Sequence, residues 1–214
     1  RSRVSAGTGY GSQHSMDAAG LFALYPGWRI IAPSRPYDYI GLLNAALACD
    51  DPVLIVEYAE LFRSSGPVPK DWNYIVPFGK ARYARRGSRC TVLAYGTMVD
   101  AACEAAERSG VDAEVIDLRT IDPLGLDWDT IAASVGRSHA LLVAEQTTRG
   151  TSVGSRIVSD AQSRLFDALD HEIVHVTGSE ASPVVSKVLE RAALAGIDEV
   201  EAALRHVDGR RGRG

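Results

Sequence analysis

The sequence predicts an α/β protein in which helices cover both faces of a mostly parallel sheet, a three-layer αβα arrangement. Two observations carry this prediction. Short apolar runs of strand length recur along the chain, and most of them are followed by a segment with helical periodicity. The composition agrees, because 46% hydrophobic and 23% charged residues are typical of a globular protein, and 214 residues suffice to bury a sizeable core.

The first region, residues 1–62, is predicted to contain a strand–helix–strand unit. "WRIIAPS" and "PVLIVEY" have the continuous apolar character of buried strands, and Pro36 is expected in the first turn of the helix between them. Ahead of this unit, Ser15 is expected to cap another helix, with Asp17 in its first turn. The connection between the two strands is expected to be a right-handed crossover.

The composition changes after this unit and indicates the domain boundaries. Residues 63–77 are rich in proline and lack periodicity, so they are predicted to form a linker. Strands and helices then alternate over residues 78–207, the second predicted domain, in which Ser182 is expected to open a late helix. The basic segment 208–214 is predicted to be a flexible tail.

Charge, cysteine spacing and hydropathy exclude several classes of function. A net charge of −4 provides no basic field for nucleic acid or for an anionic membrane surface. Three cysteines without C-x-x-C spacing argue against a disulfide framework and a zinc site, and no other metal-binding spacing occurs, so no metal ligands are predicted. No apolar run is long enough to cross a bilayer, and the chain is expected to be cytoplasmic.

The stretch "GTGYG" at residues 7–11 has the glycine content of a dinucleotide-binding loop. No strand is predicted before it, and no acidic residue follows at the distance that such a loop requires, so this interpretation fails. The phosphate-binding lysine motif and the G-x-S-x-G motif of serine hydrolases do not occur in the sequence either.

His14 is the first candidate for catalysis. Because it directly precedes Ser15, its ring is expected near the N-terminus of the predicted helix, where the helix dipole favours a neutral imidazole that can carry protons. The alternative is a loop histidine bonded to a nearby carbonyl, and the local residues by themselves favour that simpler interpretation.

Further candidates are charged residues at the ends of predicted strands. Glu57 ends a buried strand and Arg63 follows it, either as an ion pair at the domain edge or as a site for phosphate or a partner. Arg119 and Glu145 lie at the carboxyl ends of two other strands, where open α/β sheets place ligands. A structural pair between Arg119 and Asp117 is an equally good explanation, and a structural role is equally open for Glu145.

Seven stretches occur together in an order and spacing that resembles one family. They are "YGSQHS", "PGWRIIAPSRPYDYIGLLNAAL", "DDPVLIVEYAELFR", "VPFGKAR", "VLAYGTMV", "VIDLRTIDPL" and "VTGSEASP". On these residues the chain resembles the β subunit, or the β-like C-terminal half of a fused chain, of the thiamine diphosphate-dependent decarboxylase component of 2-oxo acid dehydrogenase complexes. The resemblance implies an incomplete pyrimidine-binding domain over residues 1–62 and a transketolase C-terminal domain over residues 78–207.

This resemblance also implies a function for the full enzyme, which would be of the pyruvate, branched-chain 2-oxo acid or acetoin type. Such an enzyme oxidatively decarboxylates a 2-oxo acid and passes the acyl group to lipoamide, using thiamine diphosphate held by Mg²⁺. The resemblance assigns the acyl-transfer step to His14, with Ser15 as its positioning neighbour. The implied partners are an α subunit or α half, a lipoyl-bearing acyltransferase core, and a second copy bound through the C-terminal domain. Candidates for positioning or interface roles are Glu57, Arg63, Arg119 and Glu145.

The chain departs from the family pattern in three respects. The thiamine motif Gly-Asp-Gly is absent, and the glutamate that activates the cofactor lies upstream of the histidine stretch in relatives, so no cofactor-binding residue is expected here. The isolated chain is therefore expected to be inactive. Cys49 stands where relatives with a potassium site often carry an acidic residue, which leaves that site open.

Two alternative functions remain. The first is a non-catalytic module for assembly, dimerisation and docking to the core. The second is transketolase-like ketol transfer, for which relatives carry an acidic-Gly-x-Thr-His stretch that this sequence does not have.

Overall fold

The structure, a computed structural model, describes residues 1–211. Within these residues the apolar runs form the strands of two sheets, and the periodic segments form helices. The strands are β1 (Ser2–Val4), β2 (Arg29–Ile31), β3 (Val53–Tyr58), β4 (Arg82–Arg85), β5 (Cys90–Ala94), β6 (Ala113–Asp117), β7 (Leu141–Thr148) and β8 (Val174–Gly178). The helices are α1 (Ser12–Ser15), α2 (Ala19–Ala23), α3 (Pro36–Leu47), α4 (Met98–Ser109), α5 (Trp128–Ser138), α6 (Val153–Leu165), α7 (Lys187–Ala193) and α8 (Ile197–Arg211).

The two sheets confirm the predicted fold class. The first has the strand order β1-β3-β2, and both of its pairings are parallel. The second has the order β4-β6-β5-β7-β8 and is parallel except at its edge strand β4, which pairs antiparallel with β6. A parallel sheet needs cover on both faces, because its crossover connections place helices there.

Helices cover both faces of the five-stranded sheet. On one face α4 and α8 contribute Val99 and Leu204 to a buried core. On the other face α5 and α6 contribute Ile131 and Ile157 to a second core, which also contains Leu93 of β5. Among the described helices, none is long and apolar enough to span a membrane.

The three-stranded sheet has little core of its own. Helix α3 covers one face, where Leu42 packs with Ile31, Ile55 and Val76. The opposite face, which includes Val56, belongs to the same buried core as α5, α6 and the second sheet. The first region is therefore completed by contacts with the second region rather than by a separate interior.

Backbone hydrogen bonds join the two regions directly. The backbone N–H of Ile121, beyond β6, donates to the carbonyl of Ile30 in β2 at 2.8 Å. The predicted linker, residues 63–77, contains no regular element after the 3₁₀ turn that ends at Arg63, and it lies against α3 through a backbone hydrogen bond from Val76 to Gly41 of 3.0 Å. This segment connects the regions while packing on the first.

The structure corrects the predicted start of the first helices. Helix α1 begins after Gly11 and ends at Ser15, so Ser15 is not an N-cap and His14 lies in the last turn of α1. The physical reason is Asp17, whose carboxylate accepts a hydrogen bond of 2.8 Å from the backbone N–H of Ala19 and so favours a separate start for α2. The predicted position of His14 at a helix N-terminus is therefore wrong.

Two boundaries near the C-terminus also differ from the prediction. Helix α7 begins at Lys187 with Ser186 as its capping residue, so the expectation that Ser182 opens this helix is wrong. Helix α8 includes residues 208–211, which are thus helical instead of a tail. The remainder of the predicted tail, residues 212–214, lies outside the described residues.

Candidate functional site

The loop that carries His14 lies where the two regions meet. We call residues 5–17 the histidine loop. Gly9 in this loop has a φ of +82°, and a Cβ built there would lie 2.9 Å from the backbone nitrogen of Lys187 at the start of α7. The glycine permits a left-handed backbone and a close approach to α7. The expectation that no strand precedes "GTGYG" is wrong, because β1 ends at Val4, but the stretch has a packing role against α7.

His14 is exposed on a backbone that is held in place. Its ring meets the Tyr10 ring edge-on, with centroids 5.7 Å apart, and its carbonyl accepts a hydrogen bond of 2.8 Å from the backbone of Ser5. Ser15 is buried, and its hydroxyl donates to the carbonyl of Ser5 at 3.3 Å. The buried Ser15 thus holds the loop to the backbone of Ser5, while the His14 side chain is exposed to solvent. The catalytic role of His14 stays a prediction.

A set of buried polar side chains extends from the histidine loop into the second region. We call it the buried polar chain, and its members are Asp17, Tyr58, Tyr95, Glu145 and His175. The Tyr58 hydroxyl donates to Asp17 Oδ2 at 2.7 Å. The Tyr95 hydroxyl donates to Glu145 Oε2 at 2.7 Å, and His175 Nε2 lies 2.6 Å from Glu145 Oε1. The ring centroids of Tyr58 and Tyr95 are 6.5 Å apart. The Asp17–Tyr58 pair and the group of Tyr95, Glu145 and His175 therefore lie side by side.

Burial controls protonation along the buried polar chain. Burial raises the pKa of Asp17, and the hydrogen bonds from Ala19 and Tyr58 offset only part of that increase. Burial, with nearby carboxylates, also holds the pKa values of Tyr58 and Tyr95 well above the usual range of a phenol. Both phenols therefore remain hydrogen-bond donors at neutral pH. Glu145, a candidate for positioning or interface contacts, is fully buried, and its carboxylate is hydrogen-bonded to Tyr95 and His175.

Glu57 belongs to a different cluster at the end of β3. Its Oε1 accepts hydrogen bonds from the Tyr39 hydroxyl and, at 2.8 Å, from Arg1 Nε. Burial tends to raise the pKa of Glu57, but these two hydrogen bonds together with nearby positive charge, Arg1 included, lower it overall. Burial and Glu57 raise the pKa of Tyr39 to about 12. Arg63 is exposed and has no hydrogen bond or ion pair within residues 1–211, so the predicted pair with Glu57 does not form.

Arg119 joins the two regions. Its Nη1 donates to Asp38 of α3 at 2.9 Å, and its Nε and Nη2 donate to two backbone carbonyls just before β4, at 2.9 and 3.1 Å. Asp117 pairs instead with Arg82, at 2.8 Å, and burial raises its pKa although Arg82 opposes that effect. The side-chain pair between Arg119 and Asp117 is thus not formed. The Arg119–Asp38 ion pair therefore joins the two regions, whereas the Asp117–Arg82 ion pair joins β6 to β4 within the second region.

The structure does not bring the predicted site residues into one site. His14 and Ser15 share the histidine loop, whereas the partners of Glu57, Arg119 and Glu145 form three separate groups. Sequence reasoning missed the polar residues that line the junction: Asp17, Tyr58, Tyr95, His175 and Glu190. The two tyrosines had a usable signal, since each follows an apolar strand run, while Glu190 lies in an ordinary helical stretch with no signal.

A comparison with known families accounts for the second region. The family "Transketolase, C-terminal domain" matches residues 79–200, from just before β4 into α8. The match covers more than half of the chain and agrees with the predicted identity of this region.

Curated relatives match nearly the whole chain. The β subunit of acetoin:2,6-dichlorophenolindophenol oxidoreductase from Cupriavidus necator is 34% identical over 96% of this chain and 61% of its own length. The 2-oxoisovalerate dehydrogenase β subunit from Bacillus subtilis is 38% identical over 91% of this chain and 60% of its own length. The mitochondrial β subunit of the pyruvate dehydrogenase E1 component from Caenorhabditis elegans is 35% identical over 94% of this chain and 58% of its own length. The chain thus spans about three fifths of the length of these relatives, and the resemblance predicted from its motifs is confirmed.

A solved structure supports the fold. A split-gene transketolase, described as an inactive β4 tetramer, superposes with a TM-score of 0.73 over 96% of this chain and 64% of that chain. At 21% sequence identity this likeness concerns the fold alone.

Proposed function

The chain belongs to the family of transketolase C-terminal domains, and we propose that it is the C-terminal part of a β subunit, or of a β half, in a thiamine diphosphate-dependent 2-oxo acid dehydrogenase. The β-subunit relatives, which match more than nine tenths of the chain, support this proposal. The observation that carries it is the exposed imidazole of His14 on an anchored loop. An imidazole presented in this way is accessible to a catalytic centre that a partner chain completes.

The described residues do not fit a complete site for thiamine diphosphate and its Mg²⁺. No group of three or more His, Cys, Asp or Glu side chains within residues 1–211 is arranged to hold a metal ion. Mg²⁺ binds through carboxylates and phosphate oxygens. We therefore propose that the α subunit or α half supplies the diphosphate and Mg²⁺ site, and that this chain is inactive alone and binds the cofactor only weakly.

The role of His14 can be tested in the full β subunit or β half, of which this chain is proposed to be the C-terminal part, assembled with its α partner and the lipoyl-bearing core. With His14→Asn, transfer of the acyl group to the lipoyl domain is expected to fall by about 10² or more, because a positioned proton carrier is lost. Reduction of the artificial acceptor 2,6-dichlorophenolindophenol, which does not use the lipoyl arm, is expected to fall much less. His206→Asn, an exposed histidine on α8, is the matched control and is expected to leave both rates unchanged.

Equal loss of both rates in His14→Asn would contradict the acyl-transfer role. Full acyl-transfer activity in the variant would contradict any catalytic role for His14. For the isolated chain, calorimetry is expected to show no micromolar binding of thiamine diphosphate, and such binding would overturn the proposed division of the cofactor site.

The second candidate is an assembly module that pairs with its own copy, and exposed apolar residues around α7 favour it. Val185 and Val188 are 84% and 78% exposed, and Leu189 is 63% exposed. An apolar group of this kind is typical of an interaction surface. Light scattering is expected to show a dimer that Val185→Lys with Val188→Lys dissociates, whereas Leu124→Lys, at an exposed position on another loop, leaves it intact. A monomeric wild-type chain at high concentration would contradict pairing.

The expected cytoplasmic location stays a prediction. The substrate class, a pyruvate-type, branched-chain 2-oxo acid or acetoin, is part of the same proposal. Turnover of the full assembly with a panel of these compounds is the measurement that distinguishes the three. The relatives' names include all three types.

A further inference from the structure

Tyr10 lies against the candidate catalytic histidine. Its ring and the imidazole of His14 meet edge-on, with centroids 5.7 Å apart and an angle of 83° between the ring planes. The two residues are four positions apart, and the short helix α1, which begins after Gly11, brings their rings together. Aromatic rings attract each other in this arrangement, because the positive edge of one ring meets the negative face of the other. The contact is therefore an attractive ring pair.

The backbone that carries Tyr10 is held on both sides. Gly9 and Gly11 flank it with φ values of +82° and +76°, in the left-handed region that favours glycine. The backbone N–H of Gly9 donates a hydrogen bond of 2.6 Å to the carboxylate of Glu190 in α7, which is buried. The second region therefore holds the segment from which the Tyr10 ring extends.

The His14 imidazole lacks the hydrogen bond that commonly orients a histidine. Within residues 1–211 it has no hydrogen bond and no ion pair, and its ring contact is with Tyr10. In many catalytic histidines a bond at one ring nitrogen fixes the ring and leaves the other nitrogen for proton transfer. An exposed side chain without such a bond samples several rotamers. An edge-on ring contact restricts that rotation and occupies neither nitrogen.

Tyr10 itself contributes little to the core of the protein. It is 52% exposed, and its hydroxyl makes no hydrogen bond within the described part of the chain. Removal of its ring therefore leaves no buried polar group unpaired and no cavity in either core, so the fold is expected to persist. The aromatic ring, without its hydroxyl, is sufficient for the contact with His14.

We propose that Tyr10 is a positioning residue for His14, whose ring keeps the imidazole in one orientation and leaves both ring nitrogens free for proton transfer. Tyr10 acts through His14 and takes no part in the chemistry itself. The consequence for acyl transfer rests on the proposed function, whereas the orientation of the imidazole can be measured without any activity.

The first arm of the test is NMR of the imidazole protons in the purified chain, with the His14 signals assigned from their loss in His14→Asn. Nuclear Overhauser cross-peaks between the rings of Tyr10 and His14 are expected in the wild-type protein, and this measurement needs no variant. Tyr10→Ala is expected to shift the His14 signals, because the ring current of Tyr10 is lost, and Tyr10→Phe is expected to keep them near their wild-type positions. Tyr25→Ala, at a position 60% exposed just after α2, is the matched control and is expected to leave them unchanged.

The second arm is acyl transfer to the lipoyl domain by the full β subunit or β half assembled with its α partner. Tyr10→Ala is expected to lower kcat about three- to tenfold with little change in KM for the lipoyl domain, because the imidazole spends less time in the productive orientation. Tyr10→Phe is expected to restore kcat to within about twofold of the wild-type value, since the ring pair is kept. Tyr25→Ala is expected to leave kcat and KM unchanged.

Three outcomes would overturn the proposal. They are the absence of cross-peaks between the two rings in the wild-type chain, an unchanged kcat in Tyr10→Ala, and a loss in Tyr10→Phe as large as that in Tyr10→Ala. Full acyl transfer in His14→Asn would end both this proposal and the proposed role of His14. Full acyl transfer in Tyr10→Ala, with His14→Asn impaired, would end this proposal alone, so the two failures are distinguishable.

Discussion

Glu57 and Glu145 occupy similar places in the two regions, but their surroundings differ. Each lies near the carboxyl end of a buried parallel strand, β3 and β7, respectively. Glu145 is fully buried and accepts hydrogen bonds from Tyr95 and Gly154, with His175 beside it. Glu57 is 8% exposed, and one of its two partners is Arg1, whose side chain is 67% exposed. The second region satisfies its carboxylate with buried partners, whereas one of the partners of Glu57 is an exposed arginine side chain.

The difference reflects how completely each sheet is covered. The five-stranded sheet has helices on both faces and two buried cores. The three-stranded sheet has one small core under α3, and its other face is completed by the second region. The second region therefore has a sheet covered on both faces by its own helices, whereas the first region depends on the second to cover one face of its sheet.

The largest expected effect comes from separating the regions. Residues 78–211 expressed alone are expected to fold, because both faces of their sheet keep their helices. Residues 1–77 alone are expected to remain unfolded, since three short strands and three helices, of which only α3 is longer than five residues, bury too little apolar surface to offset the conformational entropy of folding. Circular dichroism and the dispersion of amide NMR signals measure both outcomes. A cooperative unfolding transition in residues 1–77 would contradict the dependence.

The next largest effect is expected at Glu145. Glu145→Ala removes the acceptor for three buried groups and is expected to lower the free energy of unfolding by about 3–5 kcal/mol. Glu145→Gln keeps an acceptor and is expected to cost less. Urea unfolding measures both variants. A loss below about 1 kcal/mol for Glu145→Ala would show that the buried polar chain contributes little to stability.

A smaller effect is expected at the junction between the regions. Arg119→Ala removes one partner of the buried Asp38 and two hydrogen bonds to backbone carbonyls, so it is expected to cost about 3 kcal/mol. Arg82 still pairs with Asp38, which limits the loss. Arg63→Ala, the matched control at an exposed position, is expected to change the free energy of unfolding by less than about 0.5 kcal/mol. Equal losses in the two variants would mean that Arg119 does not join the regions.

The smallest expected effect is in the pH dependence of stability, where Glu57 and Asp17 act with opposite sign. The pKa of Glu57 is lowered in the folded state by Tyr39 and Arg1. Its contribution to stability is therefore present above its unfolded value of about 4.3 and is lost as pH falls through the lowered folded pKa. The pKa of Asp17 is raised by burial, so its contribution decreases as pH rises from its unfolded value of about 3.9 through the raised folded pKa.

Urea midpoints measured across pH 3 to 6, a range of about three units around these values, check the two signs. Glu57→Gln is expected to remove part of the decline at low pH, by less than about 1 kcal/mol because solvent screens its pair with Arg1. Asp17→Asn is expected to remove part of the decline as pH rises. The opposite pattern would contradict the hydrogen bonds of Tyr39 and Arg1 to Glu57 in the first variant, and the dominance of burial over hydrogen bonding at Asp17 in the second.

Local sequence pattern was sufficient for most regular elements of both regions, although β1 was not predicted. "WRIIAPS" and "PVLIVEY" contain β2 and β3, and Pro36 is the first residue of α3, as predicted. These predictions succeed because apolar runs and a proline at the first helical turn act through nearby residues. The start of the early helices was missed because the Asp17 carboxylate accepts from the backbone N–H of Ala19, while the Ser15 hydroxyl donates to the Ser5 carbonyl and caps no helix.

The site residues show the limit of the same reasoning. Placing charged residues at strand ends identified Glu57, Arg119 and Glu145 as candidates. It left open a pair between Arg63 and Glu57 and a pair between Arg119 and Asp117, each as one of two interpretations. The structure pairs Glu57 with Arg1 and Arg119 with Asp38, residues that are distant in the sequence. Such partners depend on how α3 and β4 approach each other, and no periodicity encodes that approach.

The sequence by itself determined the class of fold, the order of strands and helices in the second region, and the family resemblance that makes His14 a catalytic candidate. These features depend on hydrophobic periodicity and on short motifs, and both can be recognised in the amino-acid sequence alone. Only the tertiary structure decided that His14 lies in the last turn of a helix, that Glu145 is fully buried, and that the buried Glu190 accepts a hydrogen bond from Gly9 of the histidine loop. The physical reason is that burial and hydrogen-bond pairing arise between segments that are distant along the chain and meet only when the two sheets pack together.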